Sequence, residues 1–539
     1  MEEARARIDS NAIPMPERFA ASRYYLVALG LIVYSFLLFA ALHSRPIDDA
    51  YISFRYVDNW LHGKGLVFNP GERVEGYSNF LWVLLLSLIR VSPPLVSVLL
   101  DVVFAVVSVA LLFVAANLAT SQRRSWWALA APLLLSVNGL FIFWIGKGME
   151  VVFYTGLQIA LAVFVLSSRQ SEKARLRDGL WAGLIAAAIA LTRPEGAVAP
   201  AVVLAALAVA DRGRRTIPFL ALVILAAAVG GQFIFRLTYY GPLWPNTYYA
   251  KRLPLSIALD GGFNYLRKFI VGMSEQEAWF YPTGWASHLP IWLVCATAWV
   301  FAARQWRRLW PVALQMLTLA AVAVYVGGDW MPAFRFFVPT LPLGCLLAAV
   351  GLSEMAGDAT APRWRRFLAP GLMVILFAVE ALGLATVARS HEFLRWHDHL
   401  RNYGAMASWL KENAPAGSLV ALSDIGIISY YNPELRFIDV LGLTDPHIAS
   451  LEGVHYLKTD VDYVLRRRPD YVLAMLYAWP DEKKLSAKTR FDAAFLSHAA
   501  EKKDYEKVTR VSAWREGLQA ERYVLFEVYK RASPDLKPN

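Results

Sequence analysis

The sequence predicts a polytopic α-helical membrane protein that carries an α/β domain at its C-terminal end. The chain has 539 residues, of which 57% are hydrophobic, and its mean hydropathy is +0.39. A soluble domain is usually about 45–50% apolar. Apolar runs of membrane-spanning length fill residues 1–389, whereas residues 390–539 contain none. Basic residues concentrate in alternate loops between these runs, as is typical of membrane topology.

The apolar runs predict about 11 membrane-spanning helices, because about 20 residues cross the hydrocarbon core. The first run follows a polar, arginine-containing N-terminus without a small-residue cleavage site, so we expect it to remain as a span. The segment 80–86 is apolar but too short to span and predicts an interfacial or re-entrant helix. The runs lie at 24–42, 95–119, 126–145, 149–168, 179–192, 196–210, 216–237, 286–303, 309–327, 334–353 and 367–388.

Loop charges predict the orientation of the chain. The basic clusters lie at 123–124, 169–177, 212–215, 304–308 and 363–366, and the positive-inside bias assigns them and the N-terminus to the cytoplasm. The opposite loops, including the long segments 43–94 and 238–285, then face outward. With an odd number of spans, the C-terminal domain also lies outside.

The division predicts a membrane module over 1–389 and an extracytoplasmic α/β domain over 390–539. Helical periodicity covers 392–413, and strand-like apolar bursts follow. The net charge is +11. Because the basic residues concentrate in short loops between apolar runs, this charge reflects membrane topology, and nucleic-acid binding is disfavoured. Cys295 and Cys345 both lie inside apolar runs, which excludes a disulfide framework and disfavours a cysteine metal site. The predicted strands are 418–422, 436–440, 471–476 and 522–529.

Asp48 and Asp49 stand just after the first apolar run, where ionisable groups are costly and usually functional. Two like charges in a poorly solvated site raise at least one pKa, which suits a general base. Neighbouring positions on a helix diverge by about 100°. One carboxylate is therefore expected to face the reactants while the other binds backbone or Arg55. The alternative is that the pair caps a helix over 50–62.

The short runs 179–192 and 196–210 place their connecting turn below the outer membrane surface, since about 14 residues of helix cover only about 21 Å. In that turn, Arg193 and Glu195 either form a structural ion pair, or Arg193 faces a cavity and an anionic substrate. Lys251 is a second candidate for binding phosphate, or else a cation that reaches to the interface. Asp329 follows two glycines and either approaches a sugar hydroxyl or completes a turn.

With these motifs assembled, the chain resembles the GT-C glycosyltransferases, in particular the AftB-type arabinofuranosyltransferases and their bacterial relatives. The segments that carry the resemblance are 48–56, 65–82, 191–196, 245–251, 327–329 and 438–445. The first motif, 48–56 together with 65–82, is long, and the other segments are short.

The resemblance implies an inverting transfer from a polyprenyl-phosphate sugar at the outer leaflet of a bacterial plasma membrane. It assigns the general base to Asp48 or Asp49, with Asp48 preferred. Donor-phosphate binding is expected of Arg193 first, then Arg55, Lys251 and Arg335. Sugar or acceptor binding is expected of Asp329, Glu195, Tyr248, Tyr249 and Glu150. The sugar is expected to be arabinofuranose, and the acceptor an envelope glycan, lipid or protein.

No obligatory cofactor is predicted. A carboxylate pair beside a phosphate could hold Mg²⁺ or Mn²⁺, whereas nearby arginines could neutralise the phosphate alone. The histidines lack metal-ligand spacing.

Two other classes of function compete with a transferase. A transporter or flippase would place ionisable groups at the membrane midplane and repeat its halves, but here the charges concentrate at one face. A non-catalytic envelope scaffold would use only the outer domain.

Overall fold

The computed structural model describes Gly30 and residues 45–120, 126–170, 175–271, 289–329, 333–357, 362–389, 391–479, 484–513 and 523–532, together with Met331. Apart from Gly30, the predicted span 24–42 lies outside these residues. Five of the described helices are long and apolar enough to cross a membrane, so the chain is a polytopic helical membrane protein. These stretches are Pro93–Ala119, Val151–Ser168, Thr216–Tyr239, Val294–Tyr325 and Val338–Ala356.

The helices of the membrane module follow the predicted runs closely, apart from one. The number of about 11 spans stays a prediction, because only five candidates meet the length and composition expected of a span. The helices are α1 Asp48–Leu61, α2 Phe80–Ser87, α3 Pro93–Ala119, α4 Ala130–Val137, α5 Gly139–Trp144, α6 Val151–Ser168, α7 Leu176–Thr192, α8 Val198–Ala210, α9 Thr216–Tyr239, α10 Asn246–Lys251, α11 Leu255–Val271, α12 Leu289–Ala302, α13 Trp306–Tyr325, α14 Leu341–Ala356 and α15 Arg363–Arg389.

The predicted continuous run 126–145 is wrong as a single helix. It is divided into a 3₁₀ turn, Trp126–Leu129, followed by α4 and α5. The break lies at Asn138, whose extended backbone ends α4 and whose side chain accepts the backbone N–H of Phe141 at 3.0 Å. Asparagine favours such capping positions over helix interiors, which an apolar run cannot reveal.

The short hairpin and the short outer helix agree with their predictions. α7 ends at Thr192, a 3₁₀ turn covers Pro194–Ala197, and α8 follows directly. α2 has 8 residues, too few to cross the hydrocarbon core.

The C-terminal α/β region contains a mixed six-stranded sheet in the order β2-β1-β3-β6-β5, with β4 on β3. β1 is parallel to β2 and β3, and the other pairings are antiparallel. Four strands coincide with the predicted apolar bursts. The elements are α16 His391–Asn413, β1 Leu419–Leu422, α17 Gly426–Tyr430, β2 Arg436–Asp439, α18 Pro446–Ser450, α19 Val461–Arg466, β3 Tyr471–Ala478, β4 Leu485–Ala487, α20 Arg490–Lys502, β5 Tyr505–Val511 and β6 Tyr523–Arg531.

This region packs directly on the loops around Asn69 and Asn246. The side-chain amide of Asn246, at the start of α10, donates to the carbonyls of Gly442 and Leu443 at 2.8 and 3.0 Å. Asn69 likewise accepts the backbone N–H of Phe437 at 3.1 Å and donates to its carbonyl at 2.8 Å. These contacts join both loops to the residues in and after β2.

Candidate functional site

The N-terminus of α1 carries the predicted carboxylate pair, but neither carboxylate caps it. The residue before the helix is Ile47, and no side chain caps the turn. The capping interpretation and the predicted bounds 50–62 are therefore wrong. Asp48 binds the C-terminal region instead: one carboxylate oxygen accepts the backbone N–H of Ile427 at 2.7 Å, and the other accepts that of Gly426 at 3.1 Å.

Gly426 permits this contact because it lacks a side chain. A Cβ at this position would collide with the backbone carbonyl and the carboxyl carbon of Asp48. The first turn of α17 thus lies against the first turn of α1.

Asp424 extends the contact on the side of the sheet. Its carboxylate forms an ion pair with the Lys488 ammonium and accepts a hydrogen bond from the Tyr403 hydroxyl at 2.5 Å. Burial first, and then the charges of Asp424 and Asp49, raise the pKa of Asp48 to about 7, although the two backbone N–H groups oppose the rise. Burial alone would lower the pKa of Lys488, but the Asp424 carboxylate raises it.

Asp49 has a different environment from its neighbour. It is partly buried, and within the described residues no hydrogen bond to its carboxylate is formed. Burial raises its pKa, and the positive charges of Lys251 and Arg335 partly offset that rise, whereas Asp329 and Asp424 add to it. The charges of two cations and two further carboxylates, from three separate parts of the chain, therefore act on Asp49.

Arg335 and Asp329 form one side of this cluster. The Arg335 guanidinium lies 2.7 Å from the Asp329 carboxylate, and its far nitrogen approaches the sulfur of Met149 at 3.6 Å. The residues just before Arg335, Ala333 and Phe334, have φ of +57° and +47°. Such left-handed backbone is uncommon outside glycine and concentrates at functional sites.

Arg193 forms the ion pair predicted for the hairpin turn, and it also lines a cavity. Its guanidinium pairs with Glu195 at 2.6 Å and with Glu150 at 2.9 Å. Arg193, Glu195 and Arg335 also line a small cavity between the helices. Because two carboxylates neutralise Arg193, its charge is not available in full to a substrate.

Two of the predicted site residues are engaged in contacts within the protein. Arg55 is 2% exposed and donates to the backbone carbonyls of Phe68 at 2.8 Å, Leu435 at 2.9 Å and Ser429. It therefore joins the segment 43–94 to the C-terminal region, and all three of its guanidinium nitrogens are occupied by carbonyls. Glu150 is also fully engaged, since its second oxygen accepts the amide of Asn79 at 2.9 Å.

The α10 aromatics lie beside the C-terminal region. The carbonyl of Tyr249 accepts the Lys458 ammonium at 3.0 Å, and the ring of Tyr248, 44% exposed, lies 5.3 Å from that of Trp244. Lys251, at the end of the same helix, is exposed. Of these three predicted residues, Lys251 is the one whose charge acts on Asp49.

Four polar residues from the C-terminal region were not among the predicted site residues: Asp424, Lys488, Tyr403 and Tyr456. Burial, followed by the charges of Asp49 and Asp424, raises the pKa of Tyr456. One signal was present, because Asp424 follows β1, which is a parallel strand, and ligands bind beyond the carboxyl ends of such strands.

The described residues do not provide a set of metal ligands. No three His, Cys, Asp or Glu side chains in this part of the chain converge as a metal site. Around Asp49, Asp48 is held by backbone N–H groups, Asp329 by Arg335 and Asp424 by Lys488. A Mg²⁺ or Mn²⁺ ion would have to displace these partners.

The chain was compared with protein families, curated proteins and solved structures. One family, described as a Domain of unknown function (DUF8728), matches residues 392–529. No curated protein matches the chain. The structure of ArnT from Cupriavidus metallidurans bound to undecaprenyl phosphate is similar, with a TM-score of 0.59 and 15% identity over 96% of this chain and 100% of that chain.

A second similar structure is the oligosaccharyltransferase of Archaeoglobus fulgidus tethered with an acceptor peptide. Its TM-score is 0.53, with 12% identity over 86% of this chain and 74% of that chain. Likeness at this identity reports the fold. Together with the membrane-spanning helices, it shows that this chain has the GT-C fold.

Proposed function

We propose that this protein is an inverting glycosyltransferase. It moves a sugar from a polyprenyl-phosphate donor to a hydroxyl group of an envelope glycan, lipid or protein at the outer face of the membrane. The observation that carries the proposal is the environment of Asp49. Burial raises the pKa of its carboxylate, the positive charges of Lys251 and Arg335 act on it, and it is not hydrogen-bonded within the described residues of a GT-C fold.

Asp49 is the general base in this proposal, whereas the sequence favoured Asp48. Both oxygens of Asp48 already accept backbone N–H groups, so they are less available to an acceptor hydroxyl than the oxygens of Asp49. Asp49 removes the proton of the acceptor hydroxyl. At the same time, the oxygen of that hydroxyl forms a bond to the anomeric carbon of the sugar, from the face opposite the phosphate. The bond between the anomeric carbon and the phosphate oxygen breaks, and polyprenyl phosphate leaves with the electron pair.

Lys251 and Arg335 bind the donor phosphate in this scheme. Lys251 is exposed and can act as a point charge, while guanidinium groups bind phosphate through two parallel hydrogen bonds. Both stabilise the negative charge that develops on the leaving group. Arg193, expected first from sequence, has a supporting role because Glu150 and Glu195 neutralise it.

The comparisons support a lipid-linked donor. ArnT was solved with undecaprenyl phosphate, and the Archaeoglobus fulgidus enzyme was solved with dolichol-phosphate and an inhibitory peptide. The motif resemblance supports arabinofuranose as the sugar, and loop charges support a plasma-membrane protein with a cytoplasmic N-terminus and an outer C-terminal region. The GT-C fold does not favour a transporter or flippase.

The test is transfer by the purified protein. Decaprenyl-phosphoryl arabinose and other polyprenyl-phosphate sugars are supplied with candidate acceptors, and release of polyprenyl phosphate is measured. Asp49→Asn is expected to lower the rate about 10²–10⁴-fold, as for loss of a general base. Asp48→Asn keeps one side-chain oxygen to accept the backbone N–H groups, and we expect its rate of transfer to be about tenfold lower than that of wild type.

Asp58→Asn is the matched control, because Asp58 lies on the same helix at its far end. It is expected to retain wild-type turnover. An inactive Asp48→Asn variant beside an active Asp49→Asn variant would transfer the role of base to Asp48. Wild-type turnover in both would overturn the glycosyltransferase assignment.

A further inference from the structure

The amphipathic helix α11, Leu255–Val271, has no role in the proposed chemistry. It has 17 residues and is not among the helices that qualify as membrane spans. It contains Asp260, Arg267 and Lys268, which would be costly at the centre of a bilayer. It follows α10 directly, so it begins close to the cluster around Asp49.

One face of α11 packs tightly on the end of the spanning helix α13. Ala258, Gly262 and Tyr265 are its buried residues. A Cβ at Gly262 would collide with the backbone carbonyl of Val324, so the two helices touch backbone to backbone. This contact fixes which sides of α11 face outward.

The outward-facing surface of α11 is divided into two stripes. At about 100° per residue, an apolar stripe lies next to the buried face, and a polar stripe lies beyond it. Phe263 and Leu255 are 61% and 57% exposed. Ile257 and Val271 are exposed apolar residues outside the apolar stripe. The apolar stripe is Leu255, Leu259, Phe263, Leu266 and Ile270, and the polar stripe is Ser256, Asp260, Asn264 and Arg267.

The surroundings of this helix indicate a lipid partner. α13, on which it packs, exposes Leu317 and Tyr325 at 62% and 64%, as expected of a spanning helix that faces lipid. Lys251 and Arg252 lie just before α11, and both are exposed. Cations beside an apolar stripe match the arrangement of phosphate head groups above acyl chains.

We propose that α11 lies in the plane of the outer leaflet, with its apolar stripe among the lipid acyl chains and its polar stripe toward water. This places an interfacial helix beside the site. The tyrosine of its buried face also reaches the site segment: the Tyr265 ring stacks on Phe337 at 5.1 Å, and its hydroxyl accepts the Phe336 N–H at 3.4 Å. Lipid contact with α11 therefore stabilises, through Tyr265, the position of the segment that carries Arg335.

The test measures the position of the helix in a bilayer and does not depend on activity. In a background with Cys295→Ala and Cys345→Ala, a nitroxide is attached to Phe263→Cys or, as the matched neighbour on the polar stripe, to Asn264→Cys. The protein is reconstituted into phosphatidylglycerol–phosphatidylcholine vesicles. We expect the ratio of oxygen to water-soluble nickel accessibility to be about fivefold higher at 263 than at 264.

A second pair, Leu259→Cys and Asp260→Cys, repeats the comparison one turn earlier and covers the case in which the first pair folds poorly. Equal nickel accessibility within both pairs would overturn the proposal. So would spin–spin broadening confined to the apolar stripe, since this would show that a second copy of the chain covers it. Neither result bears on the assignment of Asp49, so the two proposals can fail separately.

Discussion

At the first turn of α1, two adjacent carboxylates have different partners because neighbouring helix positions point apart. Asp48 contacts the C-terminal region and accepts two backbone N–H groups, while Asp49 experiences the positive charges of Lys251 and Arg335. In the proposed function, Asp48 joins two parts of the molecule and Asp49 acts as the base. This division predicts different consequences for removing each charge.

Asp48 is expected to make stability depend on pH. Its pKa in the folded protein is about 7 against a usual value of 3.8, so the folded state keeps a proton that the unfolded state releases. The stabilising contribution is complete below the usual pKa and is lost as pH rises through 7. We expect Asp48→Asn to gain stability relative to wild type between about pH 5 and about pH 8, measured by thermal unfolding in detergent. The same trend in Asp58→Asn would exclude Asp48 as its source.

At the scale of elements, the contact between α17 and α1 depends on Gly426. Gly426→Ala places a methyl group against the Asp48 backbone, so we expect a loss of about 1–3 kcal/mol in stability, as for overpacking, together with reduced transfer. Gly404→Ala in α16 is the control, since a Cβ there meets nothing within 4 Å, and it should stabilise by about 1 kcal/mol. Thermal unfolding measures both. Equal stability of the two variants would contradict the close packing.

At the scale of the whole molecule, Arg55 joins the membrane module to the C-terminal region. Arg55→Gln removes the side-chain donor of the Leu435 carbonyl and one of the two side-chain donors of the Phe68 carbonyl, at a cost of about 1–3 kcal/mol. We expect limited proteolysis to release the C-terminal region faster. Arg436→Gln removes an exposed ion pair with Glu72 across the same boundary and should cost at most about 1 kcal/mol. Equal proteolysis rates in the two variants would refute the assigned role of Arg55.

Features that depend on local spacing were predictable from the sequence. The short runs around Arg193 and Glu195 indicated the hairpin, and apolar bursts identified β1, β2, β3 and β6. β5 was missed because Glu506, Lys507 and Arg510 make it polar, as suits an edge strand with an exposed face.

Features that depend on tertiary contact were not predictable. An arginine near two aspartates suggests phosphate binding, but the carbonyls that occupy Arg55 come largely from positions 429–435. Likewise, the partners of Asp48 at Gly426 and Ile427 are separated from it by most of the chain. Periodicity and charge cannot show which distant backbone meets a given side chain.

The hydrogen bond from Gly426 to Asp48 joins positions 378 residues apart, and this separation has a consequence for biosynthesis. In the proposed orientation, Asp48 reaches the outer face before Gly426 is translated, because the membrane helices follow one another from the N-terminal side. The proposed site is then incomplete until the residues around Gly426 have crossed the membrane. We therefore expect chains truncated before the sheet to be inactive in transfer.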